Sequence, residues 1–216
     1  RAVSSRGGAL PVLTGIHLKA HKDVLTMTGS DLEITVRASV PVAVTESGEA
    51  VLPSRIAVDI IRSLDSGAIE IEVAEEEAKI SGGRSQFSVR TLPVDDFPSL
   101  SDPKGDEVTV STADLAAGLK QVVRAASGDD ARPILTGVLM SAEDGGLRLV
   151  ATDSYRLAVR DLPEATVLSE GQKVLVPSRA LDELARVLGD SEEVTVRLGE
   201  REVSFDVTVD DGEVQV

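Results

Sequence analysis

The sequence predicts an α+β protein made of two copies of one unit, and three observations carry that prediction. The stretch "LPVLTGIHLKA" at 10–20 returns as "RPILTGVLMSA" at 132–142, an offset of 122 residues. Apolar and polar residues alternate with period two along much of the chain. Three runs with helical spacing begin at a proline or a hydroxyl residue.

The offset holds through "VLTMTGSD" (24–31) and "GLRLVATD" (146–153), aligning Leu25 with Leu147, Met27 with Leu149 and Asp31 with Asp153. A third match sets "VLPSRIAVDIIRSL" (51–64) against "LVPSRALDELARVL" (175–188), now offset by 124, as two extra residues in a loop produce. The units are therefore 1–100 and 101–216. The stretch "TLPVDDFPSLSDPKGD" (91–106), with its prolines and acids, reads as their linker. The second unit opens with "EVTVSTADLAAGLKQVVRAASGDD", for which the first has no full counterpart before Pro11. "RAVSS" aligns with "VRAAS", so the register places Arg1 in the last turns of a first helix, its strand and most of that helix missing.

Alternation marks strands at 68–73, 107–110, 147–152, 173–176, 193–198 and 203–209. Ser111 or Thr112 caps a helix over 112–126, with Leu115, Leu119, Val122 and Ala126 on one face. Helices over 54–64 and 178–188 begin at Pro53 and Pro177, with Ser54 and Ser178 as alternative caps. A complete unit then reads strand, helix, several strands, helix, several strands: two antiparallel sheets with two helices on one side.

Composition removes several functions. One Tyr, three Phe and no Trp leave too few aromatics for a platform that stacks single-stranded bases. The lack of Cys excludes disulfides, thiolate metal sites and a Cys nucleophile. No secretory leader and no run of about 18 apolar residues is present, which fits a cytoplasmic protein with no membrane partner. With 22 Lys+Arg against 37 Asp+Glu, attraction to nucleic acid must come from a local basic surface. No P-loop, GxSxG, HExxH or dinucleotide fingerprint occurs, so no cofactor and no metal are expected.

The segment "VATDSYRLAV" (150–159) crowds polar groups into a strand-like run. A catalytic reading needs Asp153 as base and Ser154 as nucleophile, but His17 and His21 both lie in the first unit. Turn chemistry suits Asp153 better, because Asp31 recurs in register without the Tyr-Arg pair. "SYRL" replaces the "LEIT" of the first unit, so Tyr155, Arg156 and Leu157 mark a surface special to the second.

With "RPILTGVL", "VATDSYRLAV", "VPSRALDELARVL" and "RTLPVDDFPSL" in this order, the chain resembles the bacterial sliding clamp, the beta subunit of DNA polymerase III. The resemblance covers nearly the whole chain. It implies domains one and two of a three-domain protomer, with a third domain absent from this chain. Such protomers close head to tail as a homodimer ring around duplex DNA, sheets outside and helices lining the hole.

It also implies a processivity factor without catalysis. Its partners would be double-stranded DNA read without sequence preference, and polymerase, clamp loader and repair proteins bound through short linear peptides. The helices carry Arg55, Arg62, Lys120, Arg124, Arg179 and Arg186 against Asp59, Asp114, Asp182 and Glu183, so the lining is the least acidic part of an acidic chain. Arg6 and Arg132, before the matching "LP" and "RP" corners, are further expected DNA contacts.

The family's peptide pocket maps onto Leu135, Thr152, Ser154, Tyr155, Arg156 and Leu157, with Ser154 standing where the family usually has glycine. Phe97 and Leu100 fall where protomers meet. A clamp-like scaffold that binds only proteins is the alternative that the acidic surface leaves open.

Overall fold

Proline sets the start of two of the three α-helices found among the described residues: α1 (Ser54–Ser63), α2 (Thr112–Val122) and α3 (Ser178–Val187). Pro53 and Pro177 occupy the N-cap positions, with φ of −54° and −53° and extended ψ. Ser54 and Ser178 are therefore the first helical residues and do not cap. The α3 start is satisfied instead by the Thr136 carbonyl, which accepts from Ser178 N–H at 3.1 Å. In α2 the Ser111 hydroxyl accepts from Asp114 N–H at 3.3 Å, the capping bond that its hydroxyl predicts.

The helix expected over 112–126 is shorter. It tightens to a 3-10 turn at Val123–Ala125 and ends at an extended Ala126. Ser127 Oγ then accepts from Asp129 N–H and Asp129 Oδ1 from Ala131 N–H, both at 3.1 Å, a side-chain route that competes with another helical turn.

The structure, a computed structural model, describes residues 10–100, 106–143, 146–162, 173–189, 191–198, 202–209 and 212–216. Its packing divides the chain into Arg1–Leu100 and Ser101–Val216. In the first unit, β1 (Gly15–His21), β2 (Val24–Ser30), β3 (Thr35–Pro41) and β4 (Gly48–Pro53) pair in the order β4–β1–β2–β3. A second sheet joins β5 (Ile69–Ala74), β6 (Glu77–Gly82) and β7 (Ser85–Arg90).

The second unit begins with β8 (Asp106–Ser111), and β9 (Gly137–Glu143), β10 (Gly146–Thr152), β11 (Leu157–Leu162) and β12 (Lys173–Pro177) pair in the order β11–β10–β9–β12. Then β13 (Glu193–Leu198), β14 (Val203–Val209) and β15 (Gly212–Gln215) pair in the order β15–β14–β13–β8. Each of these pairings is antiparallel. The two units match in register: His17 faces Thr28 as Leu139 faces Val150.

In the second unit α2 and α3 share one core with the inward faces of both sheets. Leu115, Leu119, Val122, Leu181 and Leu184 are at most 1% exposed among Met140, Leu149, Val196 and Phe205. Cutting any of these leucines to alanine costs about 2–5 kcal/mol. In the first unit α1 sets Ala57 and Ile60 on Leu52, Ala78, Ile80 and Val89. There Ile69, Ile71, Val73 and Phe87 are 36–45% exposed, whereas Val194 and Val196, in the places of Ile69 and Ile71, are fully buried.

Two equivalent glycines let an edge strand close in on its neighbour. A Cβ at Gly15 would stand 2.4 Å from Val51 Cγ1, and one at Gly137 would stand 2.9 Å from Leu175 Cγ.

Candidate functional site

The corner between β10 and β11 is built by one aspartate. Thr152 and Leu157 face each other across the strand pair, and residues 153–156 make the turn. Asp153 Oδ1 accepts from Tyr155 N–H and Arg156 N–H, each at 2.9 Å, and Oδ2 accepts from Arg156 Nε at 3.0 Å. Thr152 Oγ1 donates to Arg156 O at 2.7 Å and accepts from Ser154 N–H at 3.1 Å. Those two backbone N–H groups, aided by the Arg156 guanidinium, hold the Asp153 carboxyl below the usual carboxylate range. A carboxylate so engaged shapes a loop and is a poor general base.

The turn pushes its neighbours outward. Ser154 sits at φ 78°, Tyr155 is 95% exposed and Leu157 is 65% exposed. Leu135, half-buried, ends the 3-10 turn Pro133–Leu135, and its carbonyl accepts from Ser127 N–H at 2.8 Å. Arg132 Nη1 donates to Ser154 Oγ at 3.4 Å and ties the two turns together, while Arg132 Nε holds Asp129 Oδ2 at 2.8 Å. The structure thus brings together Leu135, Thr152, Ser154, Tyr155, Arg156 and Leu157, and it sets Arg132 at this corner.

The basic residues of the helices stand on exposed faces: Arg55 and Arg62 on α1, Lys120 on α2, Arg124 in the turn after it, Arg179 and Arg186 on α3. Arg62, Lys120 and Arg186 lie in last turns, where the helix dipole favours a cation, and Arg186 pairs with Glu183. Arg55 and Arg179 are different. Each lies in the first turn, where the dipole disfavours positive charge, and neither first turn carries an acid. Arg6 lies outside the described residues.

Phe97 and Leu100 are half-buried against their own unit. Phe97 stacks on the His17 ring at 5.0 Å and 20°, and the Leu100 carbonyl accepts from Arg37 Nη2 at 2.8 Å. Among the described residues no three His, Asp or Glu side chains are placed to share a metal ion.

Sequence reasoning missed Ile134, Val159 and Leu175, which are 74%, 51% and 43% exposed. For Val159 the signal was the repeat, since Val150 and Val159 stand where the first unit has Thr28 and Arg37; Ile134 and Leu175 match the apolar Val12 and Val51 and gave none.

Two antiparallel sheets per unit with basic helices on one side, and an apolar corner on the second unit, define a clamp-type protein. The N-terminal domain of the DNA polymerase III beta subunit matches residues 1–101, and its central domain matches residues 109–213. The chain belongs to that family.

The beta sliding clamp of Staphylococcus epidermidis is 36% identical over 203 residues, covering 89% of this chain and 53% of the relative. That of Staphylococcus aureus is 35% identical over 218 residues, covering 96% and 57%. Among solved structures, the DNA polymerase sliding clamp from Bacillus subtilis superposes with a TM-score of 0.88 at 30% identity, over 99% of this chain and 58% of that one. The sliding clamp from Pseudomonas aeruginosa bound to griselimycin gives 0.86 at 31% identity, with the same coverage. The chain spans just over half the length of these relatives.

Proposed function

We propose that the chain is part of a DNA sliding clamp, a processivity factor that encircles duplex DNA and tethers a replicative polymerase without catalysing a reaction. The observation that carries this reading is the pair Arg55 and Arg179, equivalent in the repeat and set in first turns against the helix dipole. Both are exposed and stand at equivalent places of the repeat, so each unit offers a cation to a phosphate. Phosphate contact without base contact holds DNA loosely enough to slide.

In the same reading Arg6, Arg62, Lys120, Arg124, Arg132 and Arg186 add to the phosphate contacts. Leu135, Thr152, Ser154, Tyr155, Arg156 and Leu157 receive the apolar anchors of short peptides from polymerase, clamp loader and repair proteins. The ring is a homodimer, with the exposed parts of Phe97 and Leu100 at the subunit contact, and it works in the cytoplasm. No described helix is long and apolar enough to cross a membrane. The named relatives are sliding clamps, and one solved neighbour carries griselimycin, which supports both parts of the proposal.

The test loads the protein on a singly nicked circular duplex and then cuts the circle. Retention before the cut and release after it is the expected result; equal retention on both forms refutes encirclement.

The net charge of −15 favours one other reading, a clamp-like scaffold that binds proteins alone. Neutralising Arg55, Arg62, Arg179 and Arg186 leaves a scaffold's function unchanged and weakens a clamp's hold on DNA.

A further inference from the structure

Helices α1 and α3 repeat one arrangement of charge. Arg55, Asp59 and Arg62 on α1 stand 124 residues before Arg179, Glu183 and Arg186 on α3, the offset that relates the two helices. The spacing i, i+4, i+7 returns all three to one stripe, since at 3.6 residues per turn they lie within about 60° of one another. In each helix that stripe is opposite the buried one. Ala57 and Ile60 face the core of the first unit, and Leu181 and Leu184 face that of the second. Each helix therefore sets an acid between two arginines on the side turned away from its sheets.

The acid is within reach of its neighbours. Glu183 Oε1 accepts from Arg186 Nη1 one turn on, while the Arg186 side chain stays 51% exposed and open to another partner. Helix α2 supplies the contrast. Three residues before its exposed Lys120 stands Ala117, where Arg62 and Arg186 each have an acid. Gln121 holds the same place before Arg124, and Asp114 belongs to the first turn beside the Ser111 cap.

We infer, on the DNA reading proposed above, that Asp59 and Glu183 are positioning residues for sliding: each carboxylate competes with phosphate for the arginines beside it and limits how firmly they hold. An arginine leaving one phosphate meets a carboxylate on its own helix before the next phosphate arrives, so contact breaks in small steps. Pairs at this spacing on an exposed helix face are weak, and the exchange runs in both directions. A fixed carboxylate also repels phosphate, and a Debye length of about 8 Å at physiological salt confines that repulsion to the lining. The acids lower affinity and raise mobility.

The experiment compares the parent protein with Asp59→Asn, Glu183→Gln and the double variant on duplex DNA of mixed sequence, over a range of salt. The replacements keep side-chain size and lie off the core, and thermal unfolding checks the fold. Each is expected to tighten binding about threefold and the double variant about tenfold, with a steeper fall of log affinity against log salt. On the nicked circle, release after the cut is expected to slow by a similar factor, because the protein leaves by moving along the DNA to an end. Asp59→Glu and Glu183→Asp keep the charge and are expected to match the parent. Glu72→Gln removes an equal charge from β5, on the face opposite Ile71, which pairs with the α1-facing Ile80. It is expected to change affinity by less than about twofold.

Unchanged affinity and release in the double acid variant overturn the inference. So does a Glu72→Gln effect as large as that of Asp59→Asn, which makes net charge the cause. The arginines separate the failures. If Arg55→Gln and Arg62→Gln weaken duplex binding while the acid variants match the parent, the DNA surface stands and the role of the acids falls. If the arginine variants bind duplex as the parent does, the DNA reading falls and the inference falls with it.

Discussion

Leu32 and Ser154 hold the same left-handed backbone, φ 73° and 78°, at the same point of two turns 122 residues apart. Each follows an aspartate whose Oδ1 gathers two backbone N–H groups, those of Glu33 and Ile34 in one turn and of Tyr155 and Arg156 in the other. Left-handed geometry costs an L-residue about 1–2 kcal/mol, and glycine escapes that cost but loses about 0.5–1 kcal/mol of chain entropy. Leu32→Gly and Ser154→Gly are therefore each expected to stabilise the fold slightly, by up to about 1 kcal/mol, read as a higher denaturant midpoint. A lower midpoint for both contradicts the strain argument.

Arg55→Gln is expected to move stability and DNA binding in opposite directions, and Arg179→Gln to weaken DNA binding. Removing the Arg55 cation from a first turn relieves about 0.3–1 kcal/mol, so thermal unfolding shifts upward. The slope of log affinity against log salt on duplex DNA falls by about 1 for each phosphate that is no longer neutralised. A double variant with an unchanged slope removes both arginines from the DNA surface.

Ser111→Ala is expected to cost about 1 kcal/mol in urea unfolding, because its hydroxyl is the α2 cap. Ser54→Ala and Ser178→Ala, at first helical positions, are expected to stay within about 0.5 kcal/mol of the parent. Equal losses at all three would show that the prolines are not the true N-caps.

Asp153 sets a pH window. Its folded pKa lies below the ordinary value, so its contribution is complete above that value and fades as pH falls through the lower folded one. The turn at 153–156 is expected to stay closed at neutral pH and to loosen below about pH 4. Tyr155 is the chain's single tyrosine and there is no tryptophan, so its fluorescence reports the change directly. An Asp153→Asn variant with the same acid transition would show that another group is responsible.

Tyr155→Ala is expected to leave stability within about 0.5 kcal/mol, since the side chain is 95% exposed. Affinity for a polymerase-derived peptide is expected to drop about tenfold, measured by calorimetry. A stability loss without an affinity loss would make Tyr155 a structural residue.

Alternation made β5, β8, β10, β12, β13 and β14 legible, and the repeat showed α1 and α3 as one helix seen twice; the remaining strands lack clean alternation and were not read. Asp31 and Asp153 disclosed a shared turn, and the proline before each of α1 and α3 located the helix start. The end of α2 was not legible, because Ala125 and Ala126 suit a helix and the competing bonds belong to Ser127 and Asp129 beyond them. Nor was the fate of matched residues: Val12 and Ile134 look alike in sequence, yet one is 4% exposed and the other 74%. Burial there depends on Leu92, Val94 and Phe97, about eighty residues from Val12 along the chain, and periodicity carries no information about such a cover. Arg132 likewise aligned with a corner, but only the fold shows its side chain reaching Ser154.

Gly15 and Gly137 carry a consequence for heredity. At each, the first carbon of any side chain would meet an edge-strand residue inside contact distance, so every substitution must first displace that neighbour. In a saturation screen for survival the map of tolerated codons should thin at two columns 122 residues apart.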